Sequence, residues 1–307
     1  MNISLRYGDQ CHSIMKVFLL TCLLVLFTIP IAHSTVDKRE VLQVSRDSLA
    51  LNIAEYTYSY RDSSEAGFSI QAISMLADTD WTSPSAETPN FGYTEDTYWF
   101  KIRLQAKNTS EEGRYYYQVY NPVADYIDVF VMSKGQIKAV YKAGDSRPFS
   151  ERAVRSNAFD FPIDLKAGEQ VTLYIKLRSE GTVQLPATLF FENDYLNTTL
   201  AFYIGQGVYF GVVGIMLFYN FFLFFVFRSK DYLYYVLYGV SIGMLQLTMH
   251  GFSFQYLWPE AVWWNNKAIP FSMLTSALCM LLFTLAYFRL KAVSPRIVLM
   301  VNVVMGG

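Results

Sequence analysis

The chain has 307 residues, of which 52% are hydrophobic and 17% are charged, and its formal net charge at pH 7 is −1. This composition is apolar for a soluble protein, and the apolar residues are concentrated near the N-terminus and after residue 199. It therefore argues against a single soluble domain and for an exported or membrane-bound protein.

The first 34 residues have the features of a secretion signal. Arg6 and Lys16 precede the apolar core of residues 17–29, which is short for a membrane span. Small residues at Ala32 and Ser34 fit cleavage after Ser34. The alternative is an uncleaved anchor helix, and in both cases the following residues, 35–197, are predicted to be exported.

The exported residues are predicted to form one all-β domain. Apolar and polar residues alternate along residues 98–108 and 169–179, which is the period of a strand with one buried face. Residues 125–141 contain two further alternating runs around a Ser-Lys-Gly-Gln turn. Several such strands in one domain predict an antiparallel sandwich or jelly roll whose sheets are buried on one face.

This domain lacks the residues of several common active sites. The three histidines and three cysteines of the chain all lie outside residues 35–199. Catalysis by Ser-His or Cys-His pairs and zinc binding are therefore excluded there, and we predict no catalytic residues, no metal and no cofactor. A pair of catalytic carboxylates stays open in principle. With 17 Lys and Arg against 23 Asp and Glu, the domain also argues against nucleic acid as a partner.

The remaining specific chemistry of the domain is aromatic and basic. Flat rings on a sheet can stack on the apolar faces of sugars, and arginine side chains can hold a carboxylate or sugar hydroxyls. The candidate ligand-binding residues are Tyr93, Trp99, Arg103, Arg147 and Arg152. The alternatives are that Trp99 fills the core and that the arginines pair with nearby carboxylates.

Three runs without Asp, Glu, Lys or Arg follow residue 199, and each is long enough to cross a bilayer. They cover residues 200–227, 232–250 and 268–288, and a fourth apolar run begins at residue 297. That run reaches the last residue, so we expect the sequence to be a piece of a longer protein. Residues 198–307 are thus predicted to be the start of an α-helical membrane bundle.

Basic residues in the loops predict the orientation of these spans. The turn at residues 228–231 contains Arg228 and Lys230, residues 251–267 contain one lysine, and residues 289–296 contain three basic residues. Basic loops face the cytoplasm, so the 228–231 turn is predicted to be cytoplasmic and the β-domain to lie on the outer side.

Eight residues in or near the predicted spans are candidates for a role inside the membrane. We interpret the polar ones as interhelical hydrogen-bonding residues, above all Asn220, while sensing of external pH stays open for His250 near the external end. The polar residues are Gln206, Asn220, Gln246 and His250. The glycines form two pairs at small-xxx-small spacing, which predicts close helix packing: Gly207 with Gly211, and Gly239 with Gly243.

Residues 90–104, 144–165 and 169–181 resemble the second type of extracellular module in the bacterial seven-transmembrane receptors with diverse intracellular signalling modules, the 7TMR-DISM family. Residues 207–264 resemble the start of the membrane domain of that family, and the resemblance as a whole covers residues 49–294. It implies a jelly-roll module that binds carbohydrate, seven spans, and a cytoplasmic output domain such as a diguanylate cyclase or a histidine kinase.

The expected function is that of a transmembrane sensory receptor. Its outer β-domain would bind a small, carbohydrate-like ligand and signal through the helix bundle to an output domain outside this chain, which is itself not expected to be an enzyme. The alternatives are a membrane transporter or channel with an external ligand-binding domain, and a tethered carbohydrate-active enzyme. The uncharged spans favour the receptor.

The expected partners and location follow from this function. The partners are a small-molecule or carbohydrate ligand, the lipid bilayer and a second copy of the chain in a homodimer. The expected location is a bacterial inner membrane, with the N-terminal domain in the periplasm.

Overall fold

A computed structural model describes residues 41–45, 50–64, 67–85, 87–107 and 112–288. The predicted secretion signal and the apolar run from residue 297 lie outside these described residues. What is described is a β-sandwich followed by helices, which is the predicted fold class.

Twelve strands and five α-helices are present in the described part of the chain. In chain order the strands are β1 (Leu42–Val44), β2 (Leu51–Asn52), β3 (Tyr58–Asp62), β4 (Asn90–Tyr93), β5 (Thr97–Ala106), β6 (Gly113–Val119), β7 (Tyr126–Ser133), β8 (Gln136–Ala143), β9 (Phe159–Leu165), β10 (Gln170–Arg178), β11 (Thr182–Gln184) and β12 (Ala187–Phe191). The helices are α1 (Ile70–Ser74), α2 (Glu192–Phe227), α3 (Lys230–Met249), α4 (Phe252–Tyr256) and α5 (Val262–Tyr287).

Most of the strands form two sheets that face each other. Sheet A has the order β1-β5-β10-β7-β8, with β3 also paired to β5, and sheet B has the order β2-β12-β6-β9. A separate two-stranded ribbon consists of β4 and β11. Among the described strands β1 and β5 pair in parallel, and the other pairs are antiparallel. The alternating runs of the sequence are the strands β5, β7, β8 and β10, as predicted.

The main core lies between the two sheets. From sheet A it takes Phe100, Ile102 and Leu104, and from sheet B Tyr117 and Phe161, each at most 1% exposed. Every second residue of β5 points into this core, because successive side chains of a strand point to opposite faces. Burial of this apolar surface is the main stabilising contribution in a domain without cysteines.

The outer face of sheet A is covered as well. Helix α1 and the chain around Trp81 lie on it and form a second apolar cluster with Tyr58, Trp99 and Tyr174. Trp99 is only 1% exposed. The prediction of a sheet buried on one face only is therefore wrong for β3, β5 and β10, because the connection between β3 and β4 folds back across them.

A buried lysine of β5 binds the covering segment, which contains α1 and Trp81, to the sheet. The Lys101 side chain is 3% exposed, its ammonium donates to Asp78 Oδ1 at 2.7 Å, and it lies 4.3 Å from the centroid of the Trp81 ring. Arg103 donates to both carboxylate oxygens of Asp78, at 2.6 and 2.7 Å. These hydrogen bonds, from Arg103 and then from Lys101, lower the pKa of Asp78 to about 2.

The β-domain passes directly into the first long helix. β12 ends at Phe191, and α2 begins at the next residue and runs for 36 residues, about 54 Å. Its first turn packs on sheet B, since the ring of Tyr195 stacks on that of Tyr116 at 4.0 Å and its hydroxyl donates to Asp160 at 2.9 Å. The last strand thus ends six residues before the predicted domain boundary at 197, and the helix begins before the predicted span at residue 200.

Two described helices, α2 and α5, are long and apolar enough to cross a membrane. Helix α5 has 26 residues and begins at Val262 instead of at residue 268. Helix α3 has 20 residues and packs against both of them, but its four tyrosines make it more polar. Each predicted span among the described residues is thus helical.

The loop between β8 and β9 joins the β-domain to the connection between α3 and α5. We call residues 144–152 of this loop the junction segment. Four hydrogen bonds among the described residues hold it to the helical part. They run from the Phe149 N–H to the Pro259 carbonyl (2.9 Å), from the Ser150 hydroxyl to Glu260 Oε2 (3.3 Å), from the Asn265 side chain to the Asp145 carbonyl (3.4 Å), and from the Asn266 side chain to the Ser146 hydroxyl (3.0 Å).

On its other side the junction segment passes very close to the turn before β7. Gly144 has a φ of +138°, and a Cβ there would stand 1.9 Å from the Asp125 carbonyl oxygen, so this position requires glycine. The Asp145 N–H donates to the Ala124 carbonyl at 2.9 Å. The Ser146 N–H donates to the Asp125 carbonyl at 3.2 Å. The segment is thus bonded to the sandwich and to the helices at once.

Arg152 is a buried cation at the end of the junction segment. It is 7% exposed, and its guanidinium lies 4.4 Å from the ring centroids of Phe149 and Phe159. The ring of Phe254 in α4 lies 5.7 Å away. Nη1 donates to the Ser156 carbonyl at 2.8 Å, while Nε and Nη2 have no hydrogen bond within the described chain. Burial lowers the pKa of Arg152 to about 10.

Asp145 is a buried carboxyl in the same segment. It is 9% exposed, and its Oδ1 has no hydrogen-bond partner among the described residues. Burial and the negative charge of Asp125 raise the pKa of Asp145 to about 7, against the opposing effect of Arg152. The carboxyl is therefore held in its protonated form over a wider pH range than in the unfolded chain.

The burial of Trp99 leads to a prediction about stability. Replacing Trp99 with alanine should lower the free energy of unfolding by about 3–5 kcal/mol, because the deleted ring leaves a cavity in the second cluster. Tyr93 is 83% exposed, so Tyr93→Ala should change stability by less than about 0.5 kcal/mol. Denaturant unfolding of the chain in detergent, followed by circular dichroism, compares the two. Equal losses for both variants would contradict this assignment.

The raised pKa of Asp145 leads to a prediction about pH. Because the folded-state pKa, about 7, exceeds the pKa of 3.8 that this carboxyl has in the unfolded chain, it favours the folded state fully below about pH 4. That contribution is lost as the pH rises to 7. Wild-type protein should therefore lose up to a few kcal/mol of stability relative to Asp145→Asn between pH 4 and pH 8.

Thermal unfolding across this pH range measures the difference. Asp164→Asn is the control, since Asp164 is exposed and pairs with Arg114 on the surface. Identical pH dependence in wild-type protein and Asp145→Asn would show that Asp145 is ionised when folded.

Candidate functional site

A polar cleft opens on the outer face of sheet A, where β10 ends and β5 and β7 begin. Its volume is about 580 Å³. Its lining residues come from five parts of the chain: the end of β3 and the connection after it (62–64 and 67), the start of β5 and the turn before it (95–97), β7 (126 and 128), the junction segment (147), and β10 (176 and 178). Strand pairing brings these segments together, and the cover of α1 leaves this end of the sheet open.

Arg147 forms one wall of the cleft. Its Nη1 donates to Asp128 Oδ1 at 2.5 Å and to the Ala143 carbonyl at 3.0 Å. Its guanidinium also lies 5.3 Å from the ring centroid of Tyr126. Both members of the ion pair are about four-fifths buried, with 19% of each side chain exposed, so the pair is partly shielded from water.

Two carboxylates of the cleft are occupied by their own surroundings. Asp62 accepts the Phe68 N–H at 2.6 Å and both the N–H and the hydroxyl of Ser64. Although burial opposes ionisation, these hydrogen bonds hold the pKa of Asp62 below its usual value. Asp96 accepts from Arg61 Nε at 2.6 Å. These carboxylates therefore hold the loops around the cleft in place.

Three charged side chains of the cleft are available to a ligand. Among the described residues, Lys176 and Arg178 have no carboxylate partner, and Glu95 has no cationic one. The Lys176 ammonium lies 5.4 Å from the ring centroid of Trp99, while Arg178 and Glu95 are exposed. The cleft thus offers two cationic donors and one anionic acceptor, a set that suits a small ligand with hydroxyl or carboxylate groups.

The five candidate ligand residues do not lie together. Only Arg147 lines the cleft, and Tyr93 is exposed two residues before the cleft residue Glu95. Trp99 is a core residue, since its ring lies beneath the α1 cover. Arg103 is engaged by Asp78, so the carboxylate-pairing alternative applies to it.

Arg152 has no access to a ligand in the cleft either. Its guanidinium is enclosed by phenylalanine rings at the contact between the β-domain and α4. The loop around Arg152 buries the side chain instead of presenting it to solvent, so this residue does not line the cleft.

The polar residues of the helices take different places. Asn220 donates to the Met216 carbonyl of its own helix at 2.9 Å, so the hydrogen bond in this structure is intrahelical and not the predicted interhelical one. Gln206 and Gln246 are partly buried on α2 and α3. The Gln246 backbone carbonyl accepts the N–H of His250 at the end of α3.

His250 lies at the contact between α3 and the β-domain. Its Nδ1 is 3.3 Å from the Tyr120 hydroxyl, and its backbone carbonyl accepts from the Asn157 side chain at 3.0 Å. This residue therefore belongs to the same interface as the junction segment.

Of the four candidate glycines, one lies at a close contact between helices and three have free space where a Cβ would stand. A Cβ on Gly239 would stand 2.3 Å from Leu217 Cδ2, so α2 and α3 approach closely there. A Cβ on Gly207, Gly211 or Gly243 would meet no described atom within 4 Å. Close packing at the predicted small-xxx-small pairs is therefore present only at Gly239 in the described helices.

The sequence carried a signal for the missed cleft residues. Lys176 and Arg178 alternate with buried residues on β10, as Tyr126 and Asp128 do on β7, which assigns all four to the outer face. Their convergence depends on the register that places Lys176 opposite Asp128 and Arg178 opposite Tyr126. Sequence periodicity contains no information on that register.

No curated protein matches the chain. Among solved structures, a glycosyl hydrolase family 2 member from Bacteroides cellulosilyticus is 12% identical over 47% of this chain and 20% of its own, with a TM-score of 0.28. A family 6 carbohydrate-binding module is 10% identical over 38% of this chain and 90% of its own, with a TM-score of 0.20. The matched part thus spans about a fifth of the hydrolase, and neither likeness bears on function.

Two family profiles match consecutive parts of the chain. The profile described as 7TMR-DISM extracellular 2 matches residues 54–190, and the profile described as 7TM diverse intracellular signalling matches residues 202–307. The first range covers the β-sandwich from β3 to β12, and the second begins within α2. Both are receptor domains rather than catalytic ones. In agreement with the resemblance seen in the sequence, the chain belongs to the 7TMR-DISM family of transmembrane sensory receptors.

Proposed function

We propose that this receptor binds a small, polar, sugar-like ligand in the cleft at the end of sheet A. The ligand class is a sugar or sugar acid, whose hydroxyl and carboxylate oxygens match the cationic donors of the cleft. Binding would bias the helix bundle, which signals to a cytoplasmic output module.

The observation that supports this proposal is a group of charged side chains on a rigid scaffold that have no oppositely charged partner among the described residues. Lys176 and Arg178 stand on a central strand whose neighbours on both sides are hydrogen-bonded, so their backbone positions are well defined. Glu95 faces the same cavity from the turn before β5. Converging donors and acceptors at a fixed concave site are typical of small-molecule recognition.

We further propose that the β-domain is periplasmic and the membrane is the bacterial inner membrane. The beginning of α2 and the connection between α3 and α5 both contact the β-domain, whereas the turn at Arg228 and Ser229 lies at the other end of α2. Basic residues are concentrated at that turn, which supports a cytoplasmic location for it.

The ligand site is tested by a thermal-shift screen of the chain in detergent. We expect one class among oligosaccharides, sugar acids and cell-wall fragments to stabilise the protein, by about 2.7 kcal/mol at 100 times its Kd. Arg178→Gln and Glu95→Gln should abolish or strongly reduce the shift while leaving the unliganded melting temperature nearly unchanged, because both side chains are exposed.

The matched control for this screen is Arg114→Gln. It removes an exposed arginine that pairs with Asp164 on sheet B, away from the cleft, so the full shift should remain. If no ligand class shifts the melting temperature, or if the control loses the shift as the cleft variants do, the cleft is not the ligand site.

Orientation is tested by fusing a reporter that is active only outside the cytoplasm. Fusions after Asn197 and after Glu260 should be active, because both positions adjoin the exported β-domain. A fusion after Ser229 should be inactive. Activity after Ser229 would reverse the proposed topology and place the β-domain in the cytoplasm.

A further inference from the structure

We propose that the junction segment transmits occupancy of the polar cleft to helix α5, with Arg147 as the residue that responds to the ligand. This inference rests on the proposed function, because it concerns regulation through that same cleft.

The first step is that the cleft and the junction segment share a side chain. Arg147 lies within the segment, yet its guanidinium lines the cleft and is held there by Asp128. A ligand oxygen placed in the cleft competes with Asp128 for the same N–H donors, since guanidinium binds any suitably placed carboxylate or hydroxyl oxygen. Occupancy therefore changes the forces on the segment directly.

The second step is a hydrogen-bonded path from the opposite wall of the cleft. Arg178 lines the cleft, and the next residue, Ser179, donates its hydroxyl to Asp125 Oδ2 at 2.8 Å. The Glu180 N–H donates to the same oxygen at 2.7 Å. The other oxygen of Asp125 accepts the hydroxyl of Ser146 at 2.8 Å. Asp125 thus connects the end of β10 to the junction segment.

The third step is the contact with the helix. The hydroxyl of Ser146 donates to Asp125 and accepts from the Asn266 side chain of α5 at 3.0 Å. The neighbouring carbonyl of Asp145 accepts from Asn265 at 3.4 Å. One serine hydroxyl therefore stands between a carboxylate fixed to the cleft wall and the first turn of α5.

The remaining contacts restrict the segment to moving as a unit. Gly144 leaves no space against the turn before β7, and Phe149 is bonded to Pro259 while its ring lies 5.8 Å from that of Phe254. A displacement at Arg147 is therefore passed to α4 and α5 instead of being absorbed locally. Tightly packed contacts of this kind respond by small rigid shifts of helices.

Coupling of this kind must act in both directions, because a coupling free energy between two sites is reciprocal. Disturbing the cleft end should alter α5, and disturbing the α5 end should alter the cleft. We use amide hydrogen exchange of the full chain in lipid nanodiscs, without ligand. Exchange reports local opening of each element separately.

At the cleft end the variant is Arg147→Gln, and the readout is exchange in peptides covering residues 258–270. At the helix end the variants are Ser146→Ala and Asn266→Ala, and the readout is exchange in β7 and the end of β10. In each case we expect amide exchange at the distant end to become at least about fivefold faster. A fivefold change is the lower limit of typical coupling between two sites. Arg114→Gln, on sheet B, should change neither region.

The proposal is overturned if Arg147→Gln changes exchange only in the cleft strands, or if the helix-end variants change only the start of α5. If Arg147→Gln fails to fold, Asp128→Asn is used instead, because it removes the carboxylate that pairs with Arg147 and keeps the arginine. The same outcomes then apply. Since no ligand is used, this result is independent of the thermal-shift screen. Exchange coupling without any ligand shift would count against the proposed function alone.

Discussion

The junction segment must pack against the sandwich and form hydrogen bonds with the helices at the same time. The rest of the structure depends on this constraint. Its backbone passes so close to the turn before β7 that only glycine fits at Gly144. On its other side, carbonyl and hydroxyl groups of the segment bond to Asn265 and Asn266. The β-domain therefore cannot shift over the helices without breaking hydrogen bonds, and the cleft and the helices share one short stretch of chain.

This contact contains buried polar groups that are only partly compensated. Arg152 has three phenylalanine rings around it instead of a carboxylate, and Asp145 has a carboxyl oxygen without a hydrogen bond in the described chain. Buried charges without full pairing cost stability, although cation–π contacts offset part of that cost. These groups therefore offset part of the stability that the contact gains from burial. A contact of this kind can be shifted by the modest free energy of binding a small ligand.

The position of the cleft follows from how sheet A is covered. Helix α1 and the chain around Trp81 bury the middle of the outer face, where Trp99 lies, and Asp78 fastens this cover through Lys101. Polar side chains at the end of the same face are left uncovered. The apolar middle of this face thus contributes stability, and its charged end forms the cleft. The charged end is the one next to the helices.

The sequence by itself determined the class of the molecule: the strands of the sandwich, the helical runs after it and the family. Each of these is a local property, because the period of alternation and the length of an apolar run are read along a continuous stretch of chain. Only the tertiary structure decided that Trp99 and Arg152 are buried while Arg147 faces a cleft. Those outcomes depend on strand register and on a connection folding back across the sheet, which bring together residues far apart in the chain. Alternation assigns a residue to a face but does not say what covers that face.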